Sequence, residues 1–92
     1  MSKTTPINIS GTITTGNVAQ VLSAEKQVPR RIALRNTSVG NLYISTTGTA
    51  SASSMPIKAD EYYESPYSTS NAISIFGATT GQSFFAEEGA WE

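Results

Sequence analysis

The chain has 92 residues and a formal net charge of -1, from six Lys/Arg and seven Asp/Glu, and it contains neither Cys nor His. A single small domain is expected, one that gains from association with further copies because a chain this short buries only a modest core. The composition excludes disulfides, Cys/His zinc centres and every His-dependent triad or general base, and a near-neutral charge is not the basic footprint of a dedicated nucleic-acid binder.

The opening residues, MSKTTPINIS, carry one Lys and no apolar stretch, so no signal peptide is read there. No apolar run approaches the roughly eighteen residues of a membrane-spanning helix, and no membrane partner is expected. The lack of Cys fits folding in a reducing cytosol. Ser and Thr supply 25 of the 92 residues. That would suit a disordered chain if the apolar residues did not alternate so regularly.

Residues 1–10 are read as a flexible N-terminal arm and 11–92 as the domain. Within INISGTI (7–13), Ile7, Ile9 and Ile13 fall at period two, as in a half-buried strand, with Gly11 a candidate bulge. NVAQVL (17–22) is a short strand entered through Gly16-Asn17. SAEKQ (23–27) has the composition of one helical turn, limited by Pro29. RIALRN (31–36) alternates Ile32 and Leu34 against Arg31, Ala33 and Arg35. After a polar turn at 37–41, LYIS (42–45) puts Leu42 and Ile44 inward and Tyr43 outward, and the two runs read as an antiparallel hairpin. TTGTASASS (46–54) has nothing to bury and reads as a surface loop. Met55 to Ile57 return to the core, and EYYE (61–64) is a short strand closed by Ser65-Pro66. AISIF (72–76) and QSFFAE (82–87) flank GATTG and read as a second hairpin. EEGAWE reads as an exposed tail. About six to eight short strands with no long helix predict an all-β chain, a small antiparallel β-sandwich or flattened barrel.

Few residues suggest chemistry. Arg31 and Arg35 share a strand face across Ala33. Such a face contacts phosphates, with Arg30 and Tyr43 assisting, or an acidic protein partner, or simply water. Asp60, Glu61 and Glu64 lack calcium-loop spacing and read as solvated turn charges. Alternation sends Tyr62 and Tyr63 to opposite faces, leaving one of them, with Tyr67, for an interface or a sugar ring. Phe84 and Phe85 divide in the same way. GATTGQ has no following Lys and no helix, so it is a turn and not a phosphate loop. Asn8-Ile9-Ser10 and Asn36-Thr37-Ser38 match the glycosylation sequon, which has meaning only on secretion. No Gly-x-Ser-x-Gly elbow is present. No catalytic residue, cofactor or metal site is expected.

The layout of RRIALRNTSVGNLYIST, a small-residue loop, MPIKADEYYE and then AISIFGATTGQSFFAEEGA resembles the small β-sandwich virion accessory proteins of tailed bacteriophages. The matching positions are Arg31, Leu34, Asn36, Ser38, Tyr43, Ile73, Ile75, Gly77, Thr80 and Gly81, within residues 28–89. One departure is Lys58-Ala59-Asp60-Glu61, where that pattern often carries a turn with Gly. The resemblance implies a non-enzymatic capsid decoration (cement) protein or head-fibre base. It would be made in the bacterial cytoplasm and bound on the virion surface between major capsid subunits, as a homo-oligomer with a trimer favoured and no nucleic acid as partner. Contact residues implied with it are the arm with Ile7 and Ile9, then Tyr62, Tyr63, Tyr67, Phe85 and Trp91, with Arg31 and Arg35 second. The alternatives are a carbohydrate- or receptor-binding module and a head–tail or tail component.

Overall fold

The computed structural model describes residues 6–89. It is all-β, with nine short strands: β1 (Ile7–Asn8), β2 (Gly11–Thr12), β3 (Gln20–Ser23), β4 (Arg31–Asn36), β5 (Leu42–Ser45), β6 (Met55–Ile57), β7 (Tyr62–Glu64), β8 (Ile73–Gly77) and β9 (Ser83–Gly89). They form two antiparallel sheets. One runs β1/β2–β9–β4–β7, and the other runs β3–β8–β5–β6. Period-two alternation builds the core between them, because inward positions of both sheets interdigitate. Ile32 and Leu34 of β4 and Phe84 and Ala86 of β9 meet Leu42 and Ile44 of β5, Ile73 and Ile75 of β8, with Ile13 and Ile57. Burying each large apolar side chain is worth about 2 kcal/mol.

The two predicted hairpins are not hairpins. β4 and β5 lie in different sheets, as do β8 and β9. The turns at 37–41 and 78–82 are therefore arches that cross the core. Alternation shows which face of a strand is apolar but does not show its partner. An arch and a hairpin give the same pattern when both strands cover one core. Two buried amides mark the arches. The Asn36 Nδ2 donates to the carbonyls of Gly40 and Ile57, both at 2.7 Å, and its Oδ1 accepts from the Ser38 N–H. The Gln82 Nε2 donates to Ser38 Oγ and to the Asn41 carbonyl, joining the two arches. Only β5 and β6, among the described strands, are consecutive and paired. The loop between them is small and polar as expected, although Ala50 within it is buried and its N–H donates to Ser74 Oγ. Of the return segment, Ile57 is buried and Met55 is exposed.

Other expectations change as well. Residues 23–27 form no helical turn: Ser23 ends β3 and the rest is irregular. The arm is not free where it is described. Ile7, Asn8, Gly11 and Thr12 pair with Glu88, Glu87, Phe84 and Ser83 of β9 in one continuous register, so Gly11 is not a bulge. The ladder breaks at Ser10 because its hydroxyl accepts the Ala86 N–H in place of a backbone carbonyl. Residues 1–5 of the arm, and Trp91, lie outside the described residues.

Candidate functional site

The outer face of the first sheet gathers four of the residues singled out from sequence. Arg35 of β4 is opposite Tyr62 of β7 on one side and Phe85 of β9 on the other. One step along, Ala33 is flanked by Glu64 and Glu87, and Arg31 follows opposite Gly89. All point away from the core, since Ile32, Leu34, Ala86 and Glu88 take the inward positions. Tyr62 and Phe85 remain 54% and 48% exposed. They border a shallow depression of about 190 Å³ with Ala33, Arg35 and Glu87. Arg35 Nη1 donates to the Asp60 carbonyl at 3.0 Å and pairs with its carboxylate at 3.3 Å. Arg31 donates through Nε and Nη2 to the Ser65 carbonyl.

The tyrosines divide as alternation requires. Tyr63 turns inward and packs on the core, and burial raises its pKa above that of a free tyrosine. Tyr67 stands in the 65–72 connection and is 80% exposed. It borders an open hollow of about 520 Å³ between the β6 and β7 edges, with Met55, Tyr63, Pro66 and a series of Ser and Thr side chains that includes Ser53, Ser54 and Thr69. Met55 and Tyr67 thus make an exposed apolar rim on this hollow, and Tyr62 belongs to the outer face of the first sheet.

Residues grouped by other readings are separated. Ile9 packs on the core, whereas Ile7 stays half exposed beside Val28 and Pro29. Tyr43 lies on the outer face of the other sheet and packs edge-on against Phe76, with ring centroids 6.0 Å apart. It cannot stack a base held by Arg31 and Arg35, and the nucleic-acid constellation is not assembled. Arg30 is removed from it too, being buried. Asp60 faces Arg35, while Glu61 Oε1 accepts the Lys58 N–H within the turn. No group of three or more metal-capable side chains occurs among the described residues.

Sequence reasoning missed a buried polar cluster. Arg30 Nη1 donates to the carbonyls of Thr69 and Asn71, and Nη2 donates to the carbonyl of Ala24 and to Ser23 Oγ. Ser23 Oγ also donates to Glu88, and Glu88 pairs with Lys26 at 3.4 Å. Burial alone raises the Glu88 pKa. The Ser23 hydroxyl, Lys26 and Arg30 outweigh it and hold the carboxyl below its ordinary value. The available signal was parity: Arg30 continues the inward series 32, 34, 36, and Glu88 continues 84, 86. Comparison with protein-family models, with curated proteins and with solved structures gives no match.

Proposed function

We propose that this chain is a non-enzymatic structural protein of a tailed-phage virion, a decoration protein that binds the outer head surface between major capsid subunits. The observation that carries the reading is the exposed pair Met55 and Tyr67 bordering one open hollow between the β6 and β7 edges of the two-sheet body. Aromatic and Met side chains anchored on a sandwich edge are the composition of a protein–protein contact core. A flank this small gives a modest contact per copy. Several copies bound around one capsid junction act together, and avidity converts weak contacts into clamping against the outward pressure of packaged DNA. The protein is made in the host cytoplasm and works on the virion surface.

The test is co-sedimentation of the purified chain with expanded and unexpanded capsids of the phage that encodes it. Binding to the expanded form, weakened at least tenfold by Tyr67→Ala with Met55→Ser, is the expected result. Failure to bind either form defeats the reading. The Ser- and Thr-lined hollow beside Tyr67 favours a second reading, a neutral sugar stacked on that ring. Glycan binding that Tyr67→Ala abolishes, with no capsid binding, would select it.

A further inference from the structure

The outer face of the first sheet has no protein layer over it, and its charges are unequally engaged. Both arginines are drawn toward the ends of β7. Arg35 is held by the carbonyl and carboxylate of Asp60, in the turn before that strand, and Arg31 donates to the carbonyl of Ser65, just after it. Glu64 and Glu87 differ. They stand directly beside Ala33 on β7 and β9, on the same face of the sheet, and both are exposed. Among the described residues the ion pairs are Lys26–Glu88, Arg30–Glu88 and Arg35–Asp60, so neither carboxylate has a cationic partner there. In the next row Tyr62 and Phe85 remain about half exposed either side of Arg35. They border the depression of about 190 Å³ that also reaches Ala33 and Glu87.

We propose that this face docks a partner protein through a basic side chain, its cationic head over Ala33 between Glu64 and Glu87 and its aliphatic stem across the rings of Tyr62 and Phe85. The charge of the occupant follows from what docking would cover. A partner that packs on the two rings also takes the neighbouring carboxylates out of water, and without a cation they are buried unpaired at a large cost. Neighbouring strands lie about 4.8 Å apart, so the two Glu Cα atoms are separated by about 9.6 Å. Their extended side chains close that gap onto one ammonium or guanidinium with charge-assisted hydrogen bonds. Ala33 is the small floor that leaves room for the head. Aromatic faces favour both a cation and the methylenes that carry it. A phosphate backbone is repelled by the same two carboxylates. The attraction is between exposed charges, so it falls as salt rises. This depression and the Met55–Tyr67 hollow share no lining residue, so the contact stands whether or not the hollow meets a capsid.

An NMR titration of the full chain at low salt with N-acetylarginine amide, a single basic side chain with neutral ends, tests this. Saturable shifts are expected at Ala33, Tyr62, Glu64, Phe85 and Glu87. N-acetylglutamine amide, the uncharged control, is expected to produce none. Glu64→Gln with Glu87→Gln keeps the shape and removes both charges, and binding is expected to weaken about tenfold through the loss of two surface pairs. The rest of its spectrum verifies that this variant is folded. The absence of saturable shifts, equal binding of the glutamine probe, or undiminished binding by the double variant overturns the proposal. Shifts at this face that depend on protein concentration without any probe would assign it to a second copy and overturn it too.

Discussion

Arg30 Nε lies 3.5 Å from Glu88 Oε1 in the interior of the sandwich, and the two side chains keep only 4% and 5% of their surface. Through its other nitrogens Arg30 gathers carbonyls from Ala24, Thr69 and Asn71. One guanidinium thus fastens the irregular segments before β4 and before β8, and Glu88 of β9 is its counter-charge. Breaking a buried pair from one side leaves an uncompensated charge, which costs about 3–5 kcal/mol. Glu88→Ala is expected to lower the unfolding free energy measured by urea titration by that order. Glu88→Gln keeps the shape and an acceptor for Ser23, so its loss is expected to be smaller. Equal losses in the two variants would show that the charge is immaterial.

The same carboxyl makes stability depend on pH. Its native pKa lies below the ordinary value, so the folded state binds fewer protons than the unfolded chain once pH enters the carboxylate range. The stabilisation is complete at neutral pH. It declines as pH falls through the ordinary carboxylate value and is gone below the native one. Urea unfolding followed from neutral pH downward should show a steeper decline in the wild type than in Glu88→Gln, so that the gap between them narrows in acid. A gap that stays constant with pH would rule out Glu88 as the titrating group.

The strand positions were legible because period-two alternation is a local property. RIALRN and LYIS match β4 and β5 residue for residue. Partner choice was not legible, since Leu34 and Leu42 look equally inward whether their strands pair or face each other across the core. The same limit applied to the site. Arg31, Arg35, Tyr62 and Phe85 were recognised singly, and Arg31 with Arg35 as a pair. That β7 and β9 flank β4, and so complete the patch, depends on contacts between distant parts of the chain. The Arg30–Glu88 pair joins residues 58 positions apart, and only their shared inward parity hinted at it.

Asn36 is fully buried, and its side chain satisfies the Gly40 and Ile57 carbonyls, tying the first arch to the end of β6. Asn36→Ala leaves those acceptors without their donor, at about 1–3 kcal/mol for a buried unsatisfied group. Asn36→Asp is expected to be worse, since a carboxylate would face two carbonyl oxygens. Thermal melts of the three proteins should rank wild type above Ala above Asp. An Asp variant as stable as wild type would refute the donor role.

Gly16 lies in the connection from β2 to β3 and packs against the second arch. A Cβ there would stand 2.5 Å from the Ala78 carbonyl oxygen and 2.9 Å from the Thr80 nitrogen. Both are backbone atoms that cannot swing aside, so Gly16→Ala must displace the arch, at about 1–3 kcal/mol. Gly48 in the β5–β6 loop has nothing within 4 Å of the same position. Gly48→Ala is the control and is expected to leave the melting temperature unchanged or slightly raised. Equal effects at the two glycines would contradict the close approach.

Asp60 stands in the turn that leads into β7, and its φ is 65°, in the left-handed region. Asp tolerates that region because its short polar side chain bonds locally, whereas a β-branched residue is strained there. Its N–H also donates to the Asn36 carbonyl at 2.7 Å, which fixes the turn against β4. Asp60→Val is expected to cost about 1–2 kcal/mol from the backbone alone. The Arg35–Asp60 ion pair adds little, because the Asp60 side chain is 89% exposed and surface pairs are worth about 0–1 kcal/mol. Asp60→Asn separates the two contributions, since it drops the charge and keeps the conformational tolerance. The urea midpoint of Asp60→Asn should stay near wild type while that of Asp60→Val falls. If Asp60→Asn falls as far as Asp60→Val, the ion pair and not the backbone sets the stability of this turn.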